Sequence, residues 1–320
     1  MSLGEFDIIS KYFANRGARD DVPLGIGDDA AVLNVSADRR LVVAMDTIVE
    51  GVHFLGDAAP EDIGYRALAV NLSDLAAMGA QPSWMLLSLS LPSADERWLD
   101  AFARGLFELA DAHGVALVGG DTVRGPLVIT VQAGGWVEQD RFLARSGARP
   151  GDELFISGVP GEAAAGLSLL RSGSQQEGAS ARLRGRFLRP KPRIDLGRAL
   201  RTIASAAMDV SDGLLTDLEK LCAASGCGAQ LELDALPQST AMGALFEEEK
   251  CLEYALAGGD DYELLFCIAP ANAAAARSRS IAATPVTRIG VMTTEAGVRC
   301  LRSGREYLLA RAGYDHFAGR

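Results

Sequence analysis

The sequence predicts an α/β (α+β) protein built in two halves. Three observations carry that reading. The chain has 320 residues, more than the roughly 250–300 at which single cores stop growing. In its first part, short apolar runs alternate with stripes at helical spacing. At residues 146–152 the composition turns to Ser-Gly-Ala-Arg-Pro-Gly-Asp, and the strand–turn–helix alternation then begins again. The expected domains are 1–147 and 148–320.

Leu41–Met45 is a short apolar run ending at Asp46, expected to be a buried strand. Residues 61–78 place Leu68, Leu72 and Leu75 on one helical side, with Gly79 as the stop. Residues 83–91 alternate, Met85, Leu87, Leu89 and Leu91 against Ser88 and Ser90, as a strand does. Ser93 and Glu96 suggest a capping box, after which Trp98, Phe102, Leu106 and Leu109 continue a helical stripe to Gly114. Val115–Val118 reads as a strand running into Gly119-Gly120-Asp121-Thr122, and Pro126–Val137 as the last strand of this half.

The second half opens with a strand at Glu153–Ser157 and a small-residue helix from Gly161 to Leu170. Residues 171–186 are rich in Ser, Gly, Gln and Arg and read as a surface loop. Arg182, Arg184, Arg186, Arg189 and Arg193 are then expected to form a solvated basic face. Strand–turn–helix returns at 206–224, with Asp209–Gly213 as the turn and Leu214, Leu218 and Leu221 buried. The strand Tyr262–Ile268 follows Gly258-Gly259-Asp260-Asp261.

Charge and cysteines exclude several functions. Lys and Arg number 31 against 42 Asp and Glu, a net charge of −11. Such a surface repels phosphate backbones and anionic lipid, so neither nucleic acid nor a membrane is an expected partner. No run of eighteen apolar residues occurs, and the first residues lack the apolar core of a signal peptide, so a cytoplasmic location is expected. The five cysteines begin at Cys222 and include no C-x-x-C pair, which argues against a disulfide scaffold or structural zinc. No Gly-Lys dipeptide exists, so there is no P-loop; the dinucleotide-binding and protein-kinase signatures are missing too.

What remains is the placing of aspartates. Asp28 and Asp29 follow Gly25-Ile26-Gly27. Asp46 ends a strand, and Asp74 shares a helix face with Asn71. Asp121 follows Gly-Gly, Asp209 and Asp212 bracket a turn, and Asp260 and Asp261 follow another Gly-Gly. Each alone is ordinary turn or capping chemistry. Together they suit a site for divalent cations and phosphate, because glycine admits a phosphate to the backbone and carboxylates hold hard cations.

GEFDII at 4–9, GIGDDAAV at 25–32, MDTIVEGVHF at 45–54, NLSDLAAMGA at 71–80, GGDT at 119–122, SDGL at 211–214 and GGDDYELLF at 258–266 occur in that order. On these seven blocks the chain resembles the thiamine-monophosphate kinase family, within the ATP-binding superfamily that includes aminoimidazole ribonucleotide synthetase. The likeness extends to GYDHF at 313–317. It implies an aminoimidazole ribonucleotide synthetase-like fold, with an N-terminal ATP- and magnesium-binding domain that also dimerises and a C-terminal α/β domain. It implies a homodimer, and transfer of the ATP γ-phosphoryl group to thiamine monophosphate with several Mg2+ ions. The family's magnesium ligands fall on Asp29, Asp46, Asp74, Asp121, Asp209 and Asp212, with Met45 contributing its carbonyl. Its ATP contacts fall on Gly120, Asp121, Arg145 and Ser211, and its substrate contacts on His53, Asp260 and Tyr314.

Two departures stand out. Many relatives carry hydroxyl residues where Ala44 and Met45 stand, and often glutamate at the position of Asp260. Other superfamily members fit less well: selenophosphate synthetase usually needs an N-terminal Cys or selenocysteine, and the hydrogenase-maturation relative a C-terminal cysteine. A magnesium–nucleotide sensor without turnover is the alternative of a different class. The acceptor phosphate is already ionised near neutral pH, so no dedicated base is expected; no cysteine lies in a matched block and His53 is given to the substrate, so no covalent nucleophile is expected either.

Overall fold

A computed structural model describes residues 4–14, 19–26, 30–139, 141–173, 177–274, 276 and 280–307. The chain divides into two compact units, residues 1–75 with 80–140, and residues 76–79 with 141–320.

The first unit begins with α1 (Glu5–Ile8), which continues as a π-helical turn, Ile9–Phe13. Then come β1 (Arg39–Val49), α2 (Pro60–Ala77), β2 (Gln81–Leu91), α3 (Glu96–His113), β3 (Ala116–Arg124) and β4 (Val128–Glu138). The strands form a sheet of order β1-β4-β2-β3, with only β2–β3 parallel. One face is sealed: Met85, Leu89, Ile129, Val131 and Ala133 are fully buried, while Ser88 on the other face is exposed. Both helices carry the expected stripes, with Leu68, Leu72, Leu75, Phe102 and Leu106 fully buried. They touch backbone to backbone at Gly64 and Gly105: a Cβ on Gly105 would lie 1.7 Å from the Glu61 carbonyl oxygen.

Sequence and structure differ here in three places. Strand β1 runs on to Val49, so Asp46 lies within it rather than at its end, and the expected burial fails: Leu41, Val43 and Met45 are exposed. Strand β3 likewise takes in the whole GGDT block, because β2 offers partners as far as Arg124. The cap of α3 is Asp95, whose carboxylate accepts the N–H groups of Arg97 and Trp98; Ser93 lies outside the helix. Gly114 does stop this helix, at φ 64°.

The second unit comprises β5 (Glu153–Ser157), α4 (Glu162–Arg171), α5 (Ala179–Leu188), α6 (Ile194–Leu200), β6 (Ala204–Val210), α7 (Leu214–Ser225), β7 (Gly228–Glu232), α8 (Thr240–Gly243), α9 (Glu248–Ala257), β8 (Glu263–Ile268), β9 (Ser280–Ile281), β10 (Thr284–Thr293), β11 (Val298–Arg302) and β12 (Arg305–Glu306). Its sheet has the order β12-β11-β7-β10-β5-β8-β6, with β9 beside β10. The core on this sheet gathers Leu154, Ile156, Val210, Leu214, Leu218 and Leu265. Four of the five cysteines are buried, and all are unbonded thiols. Burial pushes Cys222 up to about 12 and Cys300 up to about 11.

The expected surface loop at 171–186 is corrected by α5, whose Leu183 and Phe187 are buried. Nor do the arginines form one solvated face. Arg186 and Arg193 turn inward to Glu263, which is fully buried on β8. Asp209, expected in the turn, lies inside β6 and is buried.

Candidate active site

Strand β1 carries Met45 and Asp46, and α2 carries Asp74. The two elements are tied by Asn71, which is fully buried. Its Oδ1 accepts the backbone N–H of Asp46 at 3.1 Å, while its Nδ2 donates to the Ala67 carbonyl one turn back. Asp74 lies one turn further along α2 and, like Asp46, is half-buried. The turn after β1 places His53, whose Nδ1 accepts the N–H of Val49 at 3.1 Å. An accepting Nδ1 leaves the ring proton on Nε2.

Register separates Asp46 from the GGDT strand. Asp46 pairs with Val131, Val131 with Leu87, and Leu87 with Gly120. Asp121 belongs to the next row, with exposed Ser88 and with Thr130. Successive residues face opposite sides, and three strand spacings amount to roughly 14 Å. The sheet therefore does not bring Asp46 and Asp121 to one point. Gly120 is required by its surroundings: at φ 155° a Cβ there would lie 1.9 Å from the Leu87 carbonyl oxygen. Gly120 and Asp121 line a cavity of about 730 Å³ in this unit, whose other walls include Phe13, Trp84, Leu86 and Val118.

In the second unit, Ser211 and Asp212 form the turn from β6 into α7. Their backbone N–H groups both donate to one oxygen of buried Asp217, each at 2.9 Å. Lys220 reaches the other Asp217 oxygen at 2.7 Å and also pairs with the Asp212 carboxylate. Burial works against its charge, yet the bonds to Asp212 and Asp217 hold the Lys220 pKa above its ordinary value. Burial raises that of Asp217 in spite of Lys220. Arg145 is exposed, and its carbonyl accepts the Ser225 hydroxyl.

The loop between α9 and β8 holds Asp260 against this turn. The Asp260 N–H donates to the Ser211 carbonyl and the Tyr262 N–H to the Val210 carbonyl, both at 2.8 Å. Asp260 and Tyr262 have φ of 69° and 52°, a left-handed backbone that costs non-glycine residues roughly 1–3 kcal/mol each. Between them Asp261 is buried and accepts the N–H groups of Gly161 (2.6 Å) and Ala163 (3.2 Å) at the start of α4. Glu263, next along, takes two bonds from Arg193, one from Arg186 at 2.6 Å and one from the Ser157 hydroxyl. Arg193 is held above its ordinary pKa by Glu263, against the effect of burial.

The structure thus groups Met45, Asp46, Asp74 and His53 around β1, sets Gly120 and Asp121 on β3, and joins Ser211, Asp212 and Asp260 across one turn. Asp29 and Tyr314 lie outside the described residues. Among the described residues, no three His, Cys, Asp or Glu side chains lie close enough together to hold a metal ion. Asn71, Asp217, Lys220, Asp261 and Glu263 were not among the expected site residues; the two acids beside Asp260 were signalled by the Gly-Gly-Asp-Asp-Tyr-Glu run itself.

Residues 27–137 match the family model for AIR synthase related proteins, N-terminal domain, and residues 149–301 that for the C-terminal domain. By fold and domain order this is a two-domain AIR synthase related protein. Thiamine-monophosphate kinase of Salmonella typhimurium is 47% identical over 99% of both chains. A crystal structure of thiamine-monophosphate kinase from Stenotrophomonas maltophilia K279a matches with 46% identity and a TM-score of 0.86, covering 94% of this chain and 97% of that one. AaThiL complexed with AMPPCP and TMP matches with 33% identity and a TM-score of 0.78, over 99% of both. The chain belongs to the thiamine-monophosphate kinase family.

Proposed function

We propose that this protein phosphorylates thiamine monophosphate with ATP, giving thiamine diphosphate for thiamine diphosphate biosynthesis. The observation that carries the reading is full-length similarity to a protein complexed with AMPPCP and TMP, an ATP analogue together with the phosphate-bearing acceptor. For ATP contacts we assign Gly120 and Asp121 in the first unit and, in the second, Arg145 and Ser211. Apolar walls beside Gly120 suit a purine, and the close backbone at Gly120 suits an approaching phosphate. For thiamine monophosphate contacts we assign His53 in the first unit, Asp260 in the second, and Tyr314. His53 presents Nε2–H as a donor, while Arg145 is an exposed cation.

The donor set fits Mg2+, since it is built of carboxylate oxygens and Mg2+ takes only one or two of these alongside substrate phosphates and water. Asp46 with Asp74, Asp121, Asp209 with Asp212, and Asp29 would hold the ions, Met45 through its carbonyl; Asp212 would first have to part from Lys220. Bound Mg2+ neutralises phosphate charge and orients the transfer. The protein's own part is positioning: the acceptor oxygen needs no deprotonation, no cysteine lies in a matched block to carry the phosphoryl group, and the γ-phosphoryl group passes directly and in line to the acceptor as ADP leaves.

A homodimer is part of this reading. Strand β1 is a sheet edge in the chain, and Leu41, Val43 and Met45 stand exposed along it, a row that a second β1 would cover. We read the protein as cytoplasmic, in keeping with its acidic surface; among the described residues no helix is long and apolar enough to cross a membrane. A coupled ATPase assay with and without thiamine monophosphate tests the function. ADP release that depends on thiamine monophosphate, with thiamine diphosphate formed in equal amount, is the expected result. Nucleotide binding without turnover would favour a sensor.

A further inference from the structure

The loop Gly258–Tyr262 holds Asp260 in a conformation its own residues do not favour. Both Asp260 and Tyr262 lie in the left-handed region, where side chains other than glycine's crowd the backbone. Something must hold the loop there. On one flank, backbone hydrogen bonds run from Asp260 to Ser211 and from Tyr262 to Val210. The Asp261 side chain reaches out of the middle of the loop into the protein. It turns away from Asp260 and binds two N–H groups at the N-terminus of α4, Gly161 and Ala163. These donors have no partner within their own helix, so the contact satisfies both sides. Asp261 is 1% exposed; it meets neither solvent nor substrate.

We propose that Asp261 is a positioning residue for substrate binding. By fastening the centre of the loop to α4, it fixes the left-handed backbone on either side and so aims the Asp260 carboxylate. The Tyr262 hydroxyl, 3.4 Å from Asp260 Oδ1, steadies that carboxylate from the same loop. The Asp260–Ser211 backbone bond then sets the distance between the thiamine monophosphate end and the nucleotide turn. The inference rests on the reading of Asp260 as a substrate contact.

A double-mutant cycle tests both separately. Asp260→Ala, Asp261→Asn and the double variant are made in the full-length enzyme, and the Michaelis constants for thiamine monophosphate and ATP are measured. Asparagine has one acceptor oxygen where two N–H groups need partners, so it releases one end of the tether. The expected result is a thiamine monophosphate constant raised at least tenfold in each single variant, with the ATP constant within twofold of wild type. In the Asp260→Ala background, Asp261→Asn should add less than twofold, since there is no carboxylate left to aim. Effects that multiply, or an ATP constant raised equally, would show that Asp261 only supports the fold and would overturn the proposal. An Asp260→Ala enzyme with a wild-type thiamine monophosphate constant would instead remove the assignment of Asp260, on which the proposal depends. If Asp261→Asn does not fold, Asp261→Glu, which keeps two acceptor oxygens but displaces them by one methylene, is carried through the same cycle with the same criteria.

Discussion

The side-chain oxygen of Asn71 accepts the backbone N–H of Asp46 at 3.1 Å, so helix α2 sets the height of strand β1 beside it. The contact is fully buried on the Asn71 side, and it places Asp46 one helical turn from Asp74. Asn71→Ala leaves the Asp46 N–H without that partner and should destabilise the protein by about 1–3 kcal/mol. Urea denaturation measures this. A loss below about 0.5 kcal/mol would mean that water replaces the amide at no cost.

Asp46 and Asp121 belong to different ions if each binds Mg2+, because the sheet holds them on opposite faces. Asp46→Asn and Asp121→Asn should each cut turnover by orders of magnitude while the melting temperature stays near wild type. Mn2+ titration followed by electron paramagnetic resonance should show the loss of different ions in the two variants. Near wild-type turnover of Asp121→Asn at saturating Mg2+ would remove it from the metal site.

The row Leu41, Val43 and Met45 predicts the oligomeric state. Met45 is 64% exposed in the single chain, and a lysine there would place charge in the middle of an apolar seam. Met45→Lys should sediment as a monomer at micromolar concentration where the wild type sediments as a dimer. A wild-type protein that is monomeric and fully active would dispose of the dimer.

Asp261 predicts a pH dependence of stability. Burial pushes its carboxyl up to about 8 from an ordinary 3.8, although the Gly161 and Ala163 N–H groups and the charge of Arg186 pull the other way and Glu263 adds to the rise. A folded-state pKa above the unfolded one means that the native protein holds the proton more tightly. The associated stability is complete below about pH 4 and is lost as pH rises through 8. The gap in melting temperature between wild type and Asp261→Asn should therefore shrink from pH 6 to pH 9. A gap that widens would show that the ionised carboxylate is the form the loop requires.

Local pattern made much of this fold legible. The stripe Phe102, Leu106, Leu109 and the stop at Gly114 predicted α3, and the alternation from Met85 to Leu91 predicted β2, because both signals lie within one element. Limits set by a partner were not legible. Strands β1 and β3 are longer than their apolar runs because β4 and β2 supply hydrogen bonds beyond them. Helix α5 was hidden by its arginines, whose partners are remote: Glu263 lies 77 residues from Arg186 and 70 from Arg193. The candidate site divides in the same way. Motifs marked Asp46, Asp121, Ser211 and Asp260, and the Gly-Gly-Asp-Asp run signalled Asp261, but the holding roles of Asn71 and Asp217 went unmarked. Both read as ordinary helix residues until the chain is folded.

The cysteines give the second unit a chemical clock of its own. All five lie from Cys222 onward, four of them in the interior, and burial keeps the thiolate of Cys222 and Cys300 scarce at neutral pH. A disulfide reagent such as Ellman's therefore reacts with these buried thiols at the rate at which this unit opens, while the first unit contributes no signal. Because thiamine monophosphate and ATP can be added separately, the rate of colour development will show which substrate quiets the unit carrying Ser211 and Asp260. No label need be introduced.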